Sequence, residues 1–271
     1  MLTGMCVSVS MLASGSRGNC ALVASSRTKI LVDAGISCRE TLKRLQSLGE
    51  DPQSLSAILI THEHSDHIYG LATLAKKLRV PVFMTAATHA AWARALRNDK
   101  GERPKLEKFE EFKSGHSFRV GDIDVTPFTI PHDAVDPVGF AFQAEGIKVG
   151  FATDLGRLLP NVRYALRGSN ILILESNHGV EQLRAGPYPW SVKQRVGSPT
   201  GHLSNEKLAE FFAGDYDNGA AFVVLAHLSE ENNHPELARG EAERALARRG
   251  GLFHNQVRVA LQNEALEPIR L

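Results

Sequence analysis

The stretch Thr61-His-Glu-His-Ser-Asp-His67 is the strongest signal in the sequence, because it brings three imidazoles and a carboxylate together directly after the apolar run Ile58-Leu-Ile60. The apolar run predicts a buried strand, and the helical pattern after Gly70 predicts that the stretch is a strand-to-helix loop. Loops on a rigid scaffold are where chemistry is usually placed. A polar surface loop is the ordinary alternative, and so dense a set of ligands after a buried strand disfavours it.

The spacing within this stretch predicts how its side chains are directed. In an extended segment, side chains two positions apart point the same way, so three of them converge and the fourth is displaced. Imidazole and carboxylate are ligands of Zn, Mn and Fe, and the displaced imidazole can serve a second ion. The three that converge are His62, His64 and Asp66, and the displaced one is His67.

Four ligands cannot complete two coordination spheres, so further ligands are expected downstream at the ends of strands. Three candidates each follow an apolar run: His132, Asp154 and His227. Taken singly, each has an ordinary reading as a turn cap or a hydrogen-bonded histidine. Taken with the histidine-rich loop they supply what is missing, and the two oxygens of Asp154 can bridge two ions. The predicted sets are His62, His64 and His132 for one ion, and Asp66, His67 and His227 for the other.

The order of apolar patterns predicts an α/β fold. Strand–helix units are followed by a run of strands and then by strand–helix units again. This order fits one layered domain over residues 1–271, with two central sheets and outer helices. The predicted strands span 7–12, 21–24, 29–32, 57–60, 80–84, 117–120, 123–130, 138–144, 148–153, 171–174, 221–226 and 256–261. The predicted helices span 38–48 with Ser37 as the cap, 69–78, 85–97, 158–167, 205–213 and 236–249.

The composition limits which binding partners and which cellular compartment are expected. The 271 residues carry a net charge of +1, so tight binding to nucleic acid needs a local basic patch. Taken alone, that balance favours a small-molecule enzyme. Three cysteines without a CxxC pair indicate reduced thiols and a cytoplasmic protein. No apolar stretch approaches the ~20 residues of a membrane-spanning helix, and the sequence leaves the oligomeric state open.

The ligand pattern His-x-His-x-Asp-His, followed by a His, an Asp and a His, resembles the metallo-β-lactamase superfamily over nearly the whole chain. The resemblance implies a four-layer αββα sandwich with the metals at one edge of the two sheets. Further segments are similar to the YycJ/WalJ-type group of this superfamily, which implies a DNA exonuclease or phosphodiesterase. These segments are Leu12-Ala-Ser-Gly-Ser-Arg-Gly-Asn19, Leu174-Glu-Ser-Asn-His178, Gly201-His-Leu-Ser-Asn-Glu206 and Ala226-His-Leu-Ser-Glu-Glu-Asn-Asn233.

The last two segments also resemble tRNA 3′-processing endonucleases of the same superfamily, in which a Gly-His-Ser-Thr segment starts a helix shortly before a ligand histidine. That layout implies that His202 is catalytic, near the scissile phosphate, with Glu175 as its acidic partner. The chain departs from the pattern, because Leu174-Glu-Ser-Asn stands where the endonucleases have His-Glu-Ala-Thr. A histidine at a helix start that makes only local hydrogen bonds is the other reading of His202.

The expected chemistry is hydrolysis of DNA with two divalent ions, Zn or Mn, with Fe as a third option. Two ions about 3.5–4 Å apart polarise a phosphate and lower the pKa of a bridging water, which gives an attacking hydroxide. Asp66 would orient that hydroxide as well as bind metal, and His202 would protonate the leaving alkoxide while Glu175 holds its ring. Two other classes stay open. One is a small-molecule hydrolase of the same fold that acts on a thioester, lactone, β-lactam or cyclic phosphodiester. The other is a metal-bound regulatory protein without turnover.

Several peripheral features have two readings each. The loop 14–19 offers backbone N–H groups and Arg17 to an anion, or it is a plain turn. The basic stretch 94–108 either contacts a phosphate backbone or is a solvated surface segment. The basic helix 236–249 is expected to be a solvated surface. His178 contacts phosphate or lies in a turn. Surface positions are predicted for His89, His116, His234 and His254.

Overall fold

Helices and strands alternate along the chain largely as the sequence predicts. The computed structural model describes residues 6–95, 105–248 and 255–271. In chain order the strands are β1 (Ser8–Ala13), β2 (Cys20–Ala24), β3 (Lys29–Val32), β4 (Ala57–Leu59), β5 (Val82–Met84), β6 (Phe109–Glu111), β7 (Phe118–Val120), β8 (Ile123–Thr129), β9 (Val138–Ala144), β10 (Ile147–Ala152), β11 (Ile171–Glu175), β12 (Phe222–Ala226), β13 (Gln256–Val259) and β14 (Ile269–Arg270). The helices are α1 (Cys38–Ser47), α2 (Ser65–Ile68), α3 (Leu71–Leu78), α4 (Ala86–Ala95), α5 (Pro160–Leu166), α6 (Val180–Ala185), α7 (Trp190–Val196), α8 (Asn205–Ala213) and α9 (Pro235–Ala247), and a 3₁₀ turn spans Pro52–Ser54.

The described strands form two sheets of seven, in the orders β14-β1-β2-β3-β4-β5-β6 and β13-β12-β11-β10-β9-β8-β7. Strands β3 to β6 are parallel in the first sheet, and β10 to β13 are parallel in the second. Strands β8 and β10 are both antiparallel to β9, so they run in the same direction. The carboxyl ends of β8, β10, β11 and β12 therefore lie at one edge of the second sheet, as those of β3 and β4 do in the first.

Alternate side chains of the central strands face two different apolar cores. In β3, Ile30 and Val32 join the core between the sheets, whereas Leu31 packs with the helices outside the first sheet. In β11 the two isoleucines also face the core between the sheets, and the two leucines pack with the helices outside the second sheet. Strands buried on both faces read as unbroken apolar runs. The resulting layer order is helix, sheet, sheet, helix, which confirms the predicted αββα sandwich.

Most predicted boundaries agree with the structure within a few residues. Ser37 caps α1 as predicted, since its side chain accepts the backbone N–H of Glu40 at 3.2 Å. The sequence does not predict α6, α7, β6 and β14, because segments of two to seven residues carry too little periodicity. No described helix is long and apolar enough to cross a membrane. Several predicted positions lie outside the described residues, namely the end of the helix 85–97, Arg97, Lys100 and Arg103 of the basic stretch, Arg249 and His254.

Candidate metal centre

The histidine-rich loop follows β4 and continues into the four-residue helix α2. His64 is the extended residue before that helix, with φ −62° and ψ 146°, and its carbonyl accepts the backbone N–H of His67 at 2.9 Å. The period of two therefore holds only from His62 to His64, and the expectation that Asp66 continues the extended segment is wrong. The helical turn directs Asp66 and His67 instead, and it still places both in the cluster of candidate ligands.

His62, His64 and His132 form the first group of candidate ligands. The Nδ1 atom of His64 lies 3.1 Å from Nε2 of His62 and 3.2 Å from Nε2 of His132. Nitrogens bound at about 2.0–2.1 Å to a tetrahedral zinc lie roughly 3.3 Å apart, so these three have the spacing of ligands to one ion. One ring proton on His64 can satisfy only one of the two close contacts, which also favours a cation where the nitrogens meet.

Asp66, His67 and His227 form the second group. The Oδ2 atom of Asp66 lies 3.5 Å from Nε2 of His67 and 3.5 Å from Nε2 of His227. Asp154 lies between the groups, because its Oδ2 atom is 3.3 Å from Nε2 of His67 and its carboxylate also clusters with His62. The structure thus brings together all seven side chains that the sequence predicts as ligands.

Two buried polar atoms of the cluster have no hydrogen-bond partner among the described residues: Oδ2 of Asp154 and Nε2 of His227. A buried polar atom without a partner costs about 1–3 kcal/mol, so native structures keep few of them. A divalent cation fits both atoms, because carboxylate oxygen and imidazole nitrogen are ligands of such ions. The clusters of His and Asp can therefore hold metal.

Three residues of the site have a left-handed backbone, namely Asp33 with φ 61°, Asp154 with φ 60° and His227 with φ 55°. Residues other than glycine adopt this region uncommonly, although Asp and His are enriched in it. Each of the three lies within two residues of the end of a strand, where the chain turns. Backbone strain of this kind clusters at functional sites, where the surrounding structure enforces it.

Asp33 and Asn19 form hydrogen bonds with candidate ligands, and neither contact is predicted from the sequence. The Oδ2 atom of Asp33 accepts Nδ1–H of His67 at 2.8 Å, which fixes the ring so that Nε2 faces the second group. Nδ2 of Asn19 donates to Oδ2 of Asp66 at 3.3 Å. The sequence feature that could have identified Asp33 is its position directly after the apolar run 29–32, because the predicted downstream ligands also follow apolar runs.

Glu175 is the last residue of β11 and is fully buried. Its Oε1 atom lies 2.8 Å from Nδ1 of His202 and 2.8 Å from Nδ1 of His227. Its Oε2 atom accepts the backbone N–H groups of Leu155 and Leu203 at 3.0 and 2.9 Å. The contact with His202 is the one that the resemblance implies, whereas the sequence does not predict the contact with His227.

His202 lies beside both groups of candidate ligands. The centre of its ring is 5.3 Å from that of His132 and 5.1 Å from that of His227. Its backbone N–H donates to the carbonyl of Val196 at 2.8 Å, which anchors the segment before α8. The His202 side chain is 14% exposed, while Glu175 is completely shielded, so the imidazole can meet a substrate and the carboxylate cannot.

Asp154 and Glu175 stay charged despite burial. Burial acts against the charged form of Asp154, but the imidazoles of His227 and His67 outweigh it and hold the pKa of Asp154 well below its ordinary value. Likewise, His202 and His227 overcome burial and lower the pKa of Glu175 to about 2. Conversely, neighbouring carboxylates raise the pKa of His67 well above its ordinary value although burial opposes this. The buried negative charge requires cations, either protons on imidazoles or metal ions that replace them.

Comparison with known proteins identifies the family. The family described as "Beta-lactamase superfamily domain" matches residues 28–228. Exodeoxyribonuclease YycJ from Bacillus anthracis is 40% identical over 241 residues, which cover 89% of this chain and 89% of that protein. Exodeoxyribonuclease WalJ from Streptococcus pneumoniae is 39% identical over 231 residues, or 84% of each protein. This chain belongs to the YycJ/WalJ group of the β-lactamase superfamily.

Solved structures of other proteins share the fold of this YycJ/WalJ-group chain. The metallo-β-lactamase fold protein YhfI from Bacillus subtilis covers 96% of this chain and 99% of its own, with a TM-score of 0.70 and 18% identity. Human short-form tRNase Z covers 96% of this chain and 98% of its own, with a TM-score of 0.63 and 17% identity. At these identities the likeness concerns the fold alone, so the roles of His202 and Glu175 stay predictions.

The loop 14–19 carries part of the resemblance to the YycJ/WalJ group, and its contacts favour the plain turn over the anion site. The backbone N–H groups of residues 15, 17, 18 and 19 all donate to acceptors of the protein itself. The guanidinium of Arg17 forms an ion pair with Glu230. The loop positions the candidate site instead, since Oγ of Ser14 accepts the backbone N–H of His227 at 2.7 Å.

The remaining histidines follow the predictions in part. His178 is buried, and its Nδ1 atom lies 3.2 Å from Oδ1 of Asn177. Burial lowers the pKa of His178 to about 4, so the ring is neutral at pH 7. His89 is half-buried, with its ring centre 4.0 Å from that of Phe109, so it lies only partly at the surface. The predicted exposure is confirmed for His116 and His234.

Proposed function

We propose that this protein is a dinuclear metal-dependent phosphodiesterase that degrades DNA as an exonuclease. The observation that carries the proposal is the placement of His202, a partly exposed imidazole bound to the buried carboxylate of Glu175, next to both groups of candidate ligands. A hydrolase that cuts phosphodiesters needs a proton donor for the leaving alkoxide as well as metal. The names of the YycJ and WalJ relatives support DNA as the substrate.

We assign the metal ligands as the sequence predicts them. One ion would be held by His62, His64 and His132, the other by Asp66, His67 and His227, and Asp154 would bridge the two. Two bound ions would polarise a phosphate oxygen and lower the pKa of a water between them. Zn and Mn both suit ligands of imidazole and carboxylate without thiolate, and Fe also fits. Asp66, whose side chain is 21% exposed, would also orient the attacking water.

His202 is the proposed general acid. Its Nδ1 atom is engaged by Oε1 of Glu175 at 2.8 Å, which leaves Nε2 to donate a proton to the leaving oxygen. The carboxylate fixes the orientation of the ring, and two backbone N–H groups hold that carboxylate in place. Glu175 therefore acts through His202 and does not touch the substrate.

The His202→Ala variant tests this role. We expect it to keep its metal content and to lose at least ~100-fold in kcat on bis-p-nitrophenyl phosphate, as loss of a general acid predicts. The matched control is His116→Ala, which removes an exposed imidazole that belongs to none of the groups of candidate ligands. Equal turnover in both variants, with metal content equal by elemental analysis, would remove His202 from the mechanism.

End-labelled DNA tests the substrate. We expect stepwise loss of nucleotides from the labelled duplex with Mn, and none with EDTA. If the DNA survives while a thioester, a lactone or a cyclic phosphodiester is hydrolysed quickly, the small-molecule hydrolase is the correct function.

We also propose a cytoplasmic location, which the three free cysteines support, two of them buried. Fractionation of cells that express the tagged protein would place it.

A further inference from the structure

A surface groove adjoins the candidate metal centre. It lies among α6, α7 and the start of α8 and has a volume of about 290 Å³. We call it the Trp190 groove. Its volume is near the lower end of the ~300–1,000 Å³ of ordinary small-ligand pockets, which suits one nucleotide and not a double helix. The residues that matter for its chemistry are His178, Leu183, Trp190, Lys193, Ser204 and Lys207.

Trp190 gives the groove an exposed aromatic wall. It is the first residue of α7 and is 70% exposed, whereas the other tryptophan of the chain, Trp92, is fully buried. Val180, which also lines the groove, is 45% exposed. Large apolar side chains that stay in water next to a site are typical of ligand-binding surfaces. A flat indole in this position offers a stacking partner to a planar ring.

The floor of the groove is continuous with the candidate centre. His178 pairs with Ser204 in a β-bridge, and Ser204 is two residues after His202. The neighbour of His178, Asn177, donates from Nδ2 to the carbonyl of His227 at 2.8 Å. Ser204 and Asn177 therefore link the floor of the groove to the segments that carry His202 and His227.

Two lysines give the groove a positive charge. Lys207 is exposed, and its Nζ atom has only a long contact of 3.5 Å to the carbonyl of Gly156. Lys193 follows Trp190 by one helical turn, and its Nζ atom donates to the backbone carbonyl of Arg184, with no carboxylate paired to it among the described residues. Of the carboxylates on the neighbouring segments, Glu181 pairs with Arg184, and Oε1 of Glu206 accepts the backbone N–H of Val180. An aromatic surface beside unpaired cations is the combination that binds single-stranded nucleic acid.

We propose that the Trp190 groove binds one nucleotide of a single DNA strand beside the phosphate that is cleaved. The base stacks on Trp190, and the phosphate of that nucleotide lies near Lys207. The assignment of DNA rests on the proposed function, and the groove itself rests on the contacts above. Because the groove is too small for a duplex, the end of the strand must separate from its complement before the metal centre can cut it.

Binding can be measured apart from turnover. The full-length, metal-loaded protein is titrated with a fluorescent single-stranded oligodeoxynucleotide that carries phosphorothioate linkages, which slow cleavage. We expect Trp190→Ala to weaken binding about 10-fold, within the roughly 5- to 150-fold range for loss of one base–aromatic stack. The matched control is Tyr164→Ala, which removes an aromatic side chain that is 80% exposed on α5, and it should bind as tightly as the parent.

The outcomes separate the groove from the proposed function. Weaker binding by Trp190→Ala supports the groove even if the protein leaves DNA intact, which would overturn only the nuclease. Degradation of DNA by a Trp190→Ala variant with parental binding and KM would overturn the groove and leave the nuclease. Tighter binding of an RNA strand of the same sequence would overturn DNA as the occupant.

Lys207→Met should reduce the slope of log K against log salt by about 0.7, as loss of one phosphate contact on a single strand predicts. An unchanged slope would mean that Lys207 does not contact the phosphate of the bound nucleotide.

Discussion

At the scale of single residues, Glu175 connects metal binding to proton transfer. One carboxylate oxygen binds Nδ1 of both His202 and His227, and the other oxygen accepts two backbone N–H groups. All four partners donate hydrogen bonds, so both side-chain oxygens of residue 175 must act as acceptors. A neutral amide cannot do this, because its NH₂ group would face donors whichever way it turned.

We therefore expect Glu175→Gln to weaken both functions at once. Loss of an outer partner of this kind typically costs about 10- to 100-fold in metal affinity or activity. Zinc affinity by calorimetry and turnover of bis-p-nitrophenyl phosphate should both fall within that range. Glu210→Gln, an exposed carboxylate on α8, is the control and should change neither. A variant with full zinc affinity and reduced turnover would mean that Glu175 serves His202 alone.

The ligand residues could be predicted from sequence because each one follows an apolar run that reads as a strand. His132, Asp154 and His227 lie far apart in the chain, yet parallel strand direction brings them to one sheet edge. The partners behind them could not be predicted in the same way. Asn19 reaches Asp66 only because the chain folds a loop over α2, and no local pattern encodes that contact.

At the scale of elements, the position of α2 depends on close contact with the loop after β3. A Cβ atom on Gly35 would lie 1.7 Å from the carbonyl oxygen of Asp66, so only glycine fits there. The same carbonyl accepts the backbone N–H of Asn19 at 2.7 Å. The sequence predicts an extended segment here because a four-residue helix is too short to show periodicity.

Gly35→Ala should therefore push α2 away from the metal centre. We expect the free energy of unfolding in urea to fall by about 1–3 kcal/mol, the usual cost of overpacking, and zinc affinity to fall with it. Gly219→Ala is the matched control, since its nearest atom is 3.6 Å away and it is exposed, so its unfolding free energy should change by less than about 0.5 kcal/mol. Parental stability and zinc affinity in Gly35→Ala would contradict the close contact.

At the scale of the whole molecule, the candidate ligands come from both sheets. His62, His64, Asp66 and His67 follow β4 of the first sheet, whereas the other three follow strands of the second. The two sheets already share one apolar core, which supports the proposal that residues 1–271 form a single domain. Their layer order could be predicted from the alternation of strand and helix patterns. The pairing of the outer strands could not be predicted, because β14 has only two residues and pairs with β1, which lies at the other end of the sequence.

Metal should therefore join the open edges of the two sheets and stabilise the whole fold. Ligand at about 100 times its Kd adds roughly 2.7 kcal/mol, and each kcal/mol raises the Tm of a domain of this size class by about 2–4 °C. We expect removal of metal, verified by elemental analysis, to lower the Tm by at least ~5 °C, and added zinc to restore it. In Asp154→Asn, which loses the carboxylate shared by the two groups, zinc should restore less than in the parent. A Tm that is the same with and without metal would mean that the ligands of the two sheets are already held in place by the protein alone, and that the ions are not part of what joins the sheets.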